Sequence, residues 1–292
     1  MGEFKESSSS QIGSEPMTAR LGLSRKVISL LDNPLAFFLS TRPFSALISA
    51  MLSSAVVFIR NGFSLRGVLA GLAMYCLTGF GFQINDLIDY RKDRAAGVQR
   101  PVATGILSRR TAFVFACILL LITFALSAWA GAGVKVLAVT ALALIFYTPA
   151  ARKAPLFKGL YVAGLCMAPL YYGSVVSGVQ YSWSPYALLA VFIIGREALM
   201  NSSEMHGDRG AGMVTVAVAL GATRAKWSGI LAMAFSLAAL AVIAGSGPSR
   251  IWAAIALILL LCIFIWPHLD DMKRIELSRI PMLAAALAIA YS

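Results

Sequence analysis

The chain has 292 residues, of which 59% are hydrophobic and only 13% are charged, and its formal net charge is +12. A soluble domain of this size carries about 25% charged residues, so the composition excludes an ordinary soluble protein and points to a polytopic membrane protein. The basic excess does not indicate nucleic acid, because the cations are scattered between apolar runs and no basic helix interleaved with aromatics occurs.

Residues 1–26 are polar and Ser-rich ("ESSSSQIGSEP"). No apolar run follows a basic start, so the segment does not read as a signal peptide. It is expected to be a disordered cytoplasmic tail, followed by one membrane domain over 27–292. The opening Met-Gly lacks the rest of a myristoylation motif, since position 6 is Glu6.

Spans are expected near 35–59, 67–84, 111–131, 134–150, 159–178, 185–200, 227–246 and 250–266. A last apolar piece, 279–292, is too short to cross a hydrocarbon core of about 30 Å at about 1.5 Å per residue. No strand-like alternation is present, so the class is all-α. Cys76, Cys117, Cys166 and Cys262 each fall inside an expected span without a CxxC pair and read as packing residues. His206 and His268 are too few and too far apart for a zinc site.

With the N-terminus in the cytoplasm, the outer loops hold only Arg60, Arg66, Lys135 and Arg250. Every other Lys and Arg, and all 13 acids, fall on the cytoplasmic side, as the positive-inside rule requires. Both acidic clusters therefore lie at one face of the membrane.

The first cluster is "NDLIDYRKDRAAGVQRPVATG", Asn85 to Gly105. At 100° per residue, Asp89 lies about −60°, Asp93 about −20° and Asn85 about −100° from Asp86. A continuous helix would put three like charges on one face, where they repel. The bland reading pairs them with Arg91, Lys92 and Arg94 on a solvated helix end. The second cluster is "REALMNSSEMHGDRGAGMVTVAVALG". From Glu197, Asn201 lies about +40°, Glu204 about −20° and Asp208 about +20°, so four acceptor side chains share roughly 60° of arc. Gly207, Gly210 and Gly212 are expected to end that helix, leaving Asp208 on a cap or loop.

Carboxylates without nearby soft ligands suit Mg²⁺ together with substrate phosphates. Arg91, Lys92, Arg94 and Arg100 follow the first cluster, and Arg209 follows the second. Acids for a metal beside cations for an anion describe a diphosphate site. Interfacial placement favours an amphiphilic substrate over an ion pathway, which would carry charge deep in the spans.

Over about residues 33–280 the chain resembles the UbiA superfamily of intramembrane prenyltransferases. "NDLIDYRKD" fits that family's NDxxDxxxD motif, and "RPVATG" follows it. "EMHGDRGAGMVTVAVALG" resembles its second Asp-rich motif, "FYTPAARKAP" its Tyr-then-basic segment, and "STRPF" its early Arg-Pro. The family commonly has Asp at the positions of Asn201 and Glu204, and the spacing from Tyr147 to Arg152 is one residue longer than its commonest pattern.

The resemblance implies about nine helices around a central cavity, with the motifs facing each other at a cytoplasmic mouth. It also implies Mg²⁺-dependent transfer of a prenyl group from an isoprenyl diphosphate, most often to an aromatic acceptor. Asp86, Asp89 and Asp93 would hold one Mg²⁺. Glu204 and Asp208 would hold a second, with Glu197 and Asn201 beside them as further ligands or as substrate-binding residues. Arg100, Arg152 and Lys153 would meet the diphosphate, and Asn85, Arg42, Tyr147, Arg209 and Tyr171 would bind substrate. The aromatic faces of Phe80, Phe82, Phe146, Tyr147, Tyr171 and Tyr172 would stabilise an allylic cation, by about 2 kcal/mol in a dry pocket. A UbiA-type terpene cyclase and a transporter are the alternative functions. The cell (inner) membrane is the expected location, and neither a protein partner nor a nucleic acid is implied.

Overall fold

The structure, a computed structural model, describes residues 34–95, 97–179, 182–210, 212–245 and 247–292. The expected tail, 1–26, lies outside the described residues. A short helix α1 covers 34–40. There follow α2 (Pro43–Asn61), α3 (Leu65–Ile88), α4 (Tyr90–Ala95), α5 (Arg109–Trp129), α6 (Val134–Lys153) and α7 (Lys158–Ser177). The remainder comprises α8 (Trp183–Gly210), α9 (Val216–Leu220), α10 (Ala222–Ile243), α11 (Pro248–Ile265), α12 (Asp271–Leu277) and α13 (Arg279–Tyr291). No strand occurs among the described residues.

Eight of these helices are long and apolar enough to cross a membrane: α2, α3, α5, α6, α7 with the turn before it, α8, α10 and α11. They coincide with the eight expected spans, with two informative differences. The expected span 35–59 is divided into α1 and α2, because Pro43 excludes its predecessor from the right-handed helical region. Arg42 instead adopts φ 49°, ψ 67° and serves as N-cap of α2. The second difference is α8, which runs on through Gly207 to Gly210, so that Asp208 is helical. The helix ends at Gly210, and Gly212, whose φ of 69° favours glycine, lies in the turn after it.

Neighbouring helices follow one another around the bundle in the order α2, α3, α6, α7, α8, α10, α11, α13 and back to α2, with α2 also packed on α7 across it and α5 packed on α3 and α6. In α13, 13 residues long, Ala284, Ala285, Ala286, Ala288, Ile289 and Ala290 are buried. Small residues set the tightest crossing. A Cβ added to Gly195 on α8 would lie 2.6 Å from the carbonyl oxygen of Gly229 on α10. Lipid tails are as apolar as leucine, so such close backbone approach, rather than hydrophobic burial alone, holds membrane helices together.

The alternation of the helices brings the C-terminal ends of α3, α6 and α8 and the N-terminal ends of α2, α5 and α7 to one end of the bundle. Both acidic clusters belong to this set.

Candidate active site

The first cluster is nearly one helix. α3 ends at Ile88, Asp89 has φ −85° and ψ 0°, and α4 starts at Tyr90. Backbone bonds carry the helical path across the break: Asp89 N–H donates to Asn85 O and Asp93 N–H to Asp89 O, each at 2.9 Å. Asp86 and Asp93 are buried and Asp89 is half-buried.

The cations that meet these carboxylates come from elsewhere in the chain. Arg42 Nη2 lies 2.9 Å from Asp86 Oδ1, and the Arg42 guanidinium stands 4.4 Å from the centroid of the Phe82 ring. Arg100 Nη1 reaches Asp86 Oδ1 at 3.1 Å and Asp93 Oδ2 at 2.5 Å. Arg152, in the last turn of α6, pairs with Asp89. The adjacent cations do not serve: Arg94 donates to Tyr90 Oη at 2.6 Å, and Arg91 and Lys92 are exposed. Their side chains leave the helix on other faces, so the solvated-end reading of this cluster fails.

Local packing aims two of these guanidiniums. Arg42 takes its direction from the turn forced by Pro43. Arg100 sits in the loop before α5, which is pinned by the buried side chains of Val102 and Leu107 against Ala36 and Ala112. Asn85 ties α3 to α6, accepting at Oδ1 from the Thr148 hydroxyl at 2.6 Å.

The second cluster occupies one face of α8. Glu197, Asn201 and Asp208 are buried, whereas Glu204 on the same face is exposed. The buried oxygens Glu197 Oε2, Asn201 Oδ1 and Asp208 Oδ2 have no hydrogen-bond partner. Buried acceptors without donors are costly, and three on one helix face call for a donor or a cation. Arg196 is committed mainly to other helices: Nε donates to Ser278 Oγ at 3.1 Å and Nη2 to Ile275 O at 3.5 Å, tethering α8 to α12 and α13, while Nη1 stands 3.9 Å from Glu197 Oε1.

The connection between α6 and α7 links the two clusters. Arg152 at its start pairs with Asp89, and Lys158 at its end places Nζ 3.6 Å from Glu197 Oε2. Tyr147 on α6 packs its ring against Tyr161 of α7, with ring centroids 5.7 Å apart.

Among the residues expected in the site, the structure groups Arg42, Asn85, Asp86, Asp89, Asp93, Arg100, Tyr147, Arg152, Glu197, Asn201, Glu204 and Asp208 at this end. Lys153 and Arg209 are exposed there. Tyr171 is elsewhere. It lies 13 residues along α7 from Lys158, about 20 Å at helical rise, and stacks with Trp183 at 6.0 Å. There it lines a cleft of about 540 Å³ with Ala128, Lys135 and Val175 at the opposite end of the bundle. Tyr172 is fully buried beside it and Phe80 packs in the core, while Phe146 is exposed. Phe82 and Tyr147 are the aromatic residues of that set found beside the acidic clusters. Sequence reasoning passed over Lys158 and Arg196, each of which reads as one more interfacial cation until α7, α8 and α12 are packed.

The donor set fits a hard divalent cation. Its members are carboxylate and amide oxygens, and three of them are buried without a hydrogen-bond partner. In the arrangement seen, no three Asp, Glu, His or Cys side chains converge on one point among the described residues, because each carboxylate of the first motif is turned to a guanidinium.

Residues 44–288 match the UbiA prenyltransferase family. A digeranylgeranylglyceryl phosphate synthase from Methanoregula boonei is 29% identical over 211 residues, which are 70% of this chain and 76% of that protein. The apo structure of a UbiA homologue from Aeropyrum pernix K1 superimposes with a TM-score of 0.69 at 17% identity, over 84% of this chain and 97% of that one. A UbiA homologue from Archaeoglobus fulgidus, solved bound to GPP and Mg²⁺, gives 0.66 at 19% identity, over 88% of this chain and all of that one (100%).

Proposed function

The chain belongs to the UbiA prenyltransferase family and is a multi-pass membrane prenyltransferase; from that premise we propose that it transfers a prenyl group from an isoprenyl diphosphate to an acceptor, with Mg²⁺, at the end of the bundle where the two acidic clusters meet. The observation that carries this reading is the interleaving of Asp86, Asp89 and Asp93 with Arg42, Arg100 and Arg152, opposite a helix face with orphaned oxygens. A metal diphosphate needs both kinds of group at once. The Archaeoglobus relative bound to GPP and Mg²⁺ supports the same substrate class.

In this proposal Asp86, Asp89 and Asp93 hold Mg²⁺ at the first motif. Asp208 and Asn201, with Glu204 reaching in from the rim, hold it at the second. When bound, Mg²⁺ supplies positive charge to the departing diphosphate. The guanidiniums of Arg42, Arg100 and Arg152 supply fixed charge to the same anion, which favours ionisation of the allylic C–O bond. Tyr147 and Phe82 offer aromatic faces to the allylic cation. The face carrying both motifs is cytoplasmic, with the cell membrane as the location.

For the acceptor, an aromatic ring is the usual case for the family. The curated relatives' name, digeranylgeranylglyceryl phosphate synthase, favours a second reading, a prenylated glyceryl phosphate. The deciding experiment incubates purified protein and Mg²⁺ with labelled geranyl, farnesyl and geranylgeranyl diphosphates, alone and with each acceptor class. A prenylated acceptor whose formation stops on chelation and resumes with Mg²⁺ is expected. A cyclised hydrocarbon formed without acceptor would assign a terpene cyclase instead. Solute flux without diphosphate release would assign a transporter.

A further inference from the structure

We infer that Lys158 is an additional diphosphate-binding residue, held in place by Glu197 on the wall of α7 and α8; this rests on the prenyl-transfer reading above. No expectation drawn from the sequence included it. It follows Pro155–Phe157, a 3-10 turn that carries the chain from α6 into α7.

Three observations support it. The Lys158 side chain is only 22% exposed, yet its ammonium makes no hydrogen bond among the described residues, and its ion-pair partner stands at 3.6 Å. An ammonium has three donors, and leaving them unspent in a half-buried position is costly. Facing it on α8 is Glu197 Oε2; further along the same helix face, toward its C-terminal end, Asn201 Oδ1 and Asp208 Oδ2 are likewise buried without a hydrogen-bond partner. Unspent donors on α7 and unspent acceptors on α8 therefore line the same wall. A metal-bound diphosphate satisfies both, its oxygens taking the ammonium hydrogens and its metal the carboxylates. A bare anion would leave the acceptors unmet, and a bare cation would leave the ammonium unmet.

The connection that carries Lys158 supplies the third observation. Arg152 and Lys158 stand at its two ends, and each meets a different acidic cluster. An anion between the clusters would lie against this connection with a cation at either hand. Glu197 then acts as a positioning residue: its carboxylate faces Lys158 and is itself flanked by Arg196 Nη1 at 3.9 Å.

The test uses the full-length protein in nanodiscs, with geranyl thiolodiphosphate as a probe that binds but does not ionise readily. Its Kd is measured with Mg²⁺ by calorimetry for the wild type, K158M and K158Q. The metal affinity of each without the probe is read from Mn²⁺ electron spin resonance. Loss of one charge-assisted contact should weaken probe binding about tenfold to hundredfold in both variants, with Mn²⁺ affinity unchanged or tighter because a competing cation has gone. Equal probe binding by wild type and variants would overturn the assignment of Lys158 while leaving prenyl transfer intact. So would a parallel loss of Mn²⁺ affinity, which would make Lys158 a support for the acidic wall. Failure of the wild type itself to bind the probe would overturn the prenyl-transfer reading, and this inference with it.

Discussion

Arg42 Nη2 stands 2.9 Å from Asp86 Oδ1 although the two residues are 44 positions apart. The contact joins the start of α2 to the last turn of α3, and it is made from a backbone conformation that residues with side chains rarely adopt, φ 49° at Arg42. A residue held against its backbone preference marks a place where the surrounding structure overrides local cost.

Arg42→Ala should lower kcat/KM by about 10- to 100-fold, the range for one lost hydrogen bond to a charged group. Asp86 keeps Arg100 as a partner, so the fold should persist. Steady-state kinetics beside a thermal melt in detergent checks this. Near-normal kinetics would remove Arg42 from the site.

Asp86→Ala, Asp89→Ala and Asp208→Ala should each cost at least about 100-fold in turnover, the scale of losing a group that stabilises developing charge. Helical circular dichroism should be retained. Full activity in all three purified variants would sink the assignment of the two clusters.

Asn201 is 2% exposed and its Oδ1 has no donor. As a neutral ligand it brings no charge to a metal. Asn201→Asp should therefore lower the Mg²⁺ concentration for half-maximal rate. A fall in turnover would instead mean that Asn201 donates through its amide to the diphosphate or acceptor. No change in either quantity would place it outside the site.

Gly195→Ala should destabilise the protein by about 1–3 kcal/mol, the usual cost of overpacking, because the new methyl meets the backbone oxygen of Gly229 at 2.6 Å. Gly164→Ala on α7, where nothing lies within 4 Å, is the control and should be neutral or slightly stabilising. Denaturation midpoints of the two variants decide it, and equal midpoints would refute the close α8–α10 crossing.

Single cysteines at Gln99 and Gly210, in a background lacking Cys76, Cys117, Cys166 and Cys262, should resist an impermeant thiol reagent added outside intact cells. A cysteine at Lys135, at the opposite end, should react. Gln99 is preferable to Gly97, whose φ of 67° would strain a side chain. Labelling of both motif positions from outside would reverse the orientation.

The sequence by itself determined the helical class, the eight spans and the two acidic faces. Each of these is a short-range property: runs of apolar residues long enough for a bilayer, and carboxylates repeating at helical spacing. It also carried the family, because "NDLIDYRKD" combines motif and membrane context within one stretch. The exact end of α8 was less legible. Glycine permits a turn without requiring one, and the helix passes through Gly207 before turning at Gly212.

Only the tertiary structure decided which cation meets which acid. Arg91, Lys92 and Arg94 adjoin the first motif in sequence, yet Arg42, Arg100 and Arg152 make the pairs. The structure also moved Tyr171 to the far end of the bundle and brought Lys158 to Glu197. Periodicity along one helix fixes which side chains share a face. What that face meets depends on how helices far apart in sequence pack, and a charged group's partner is set by that packing.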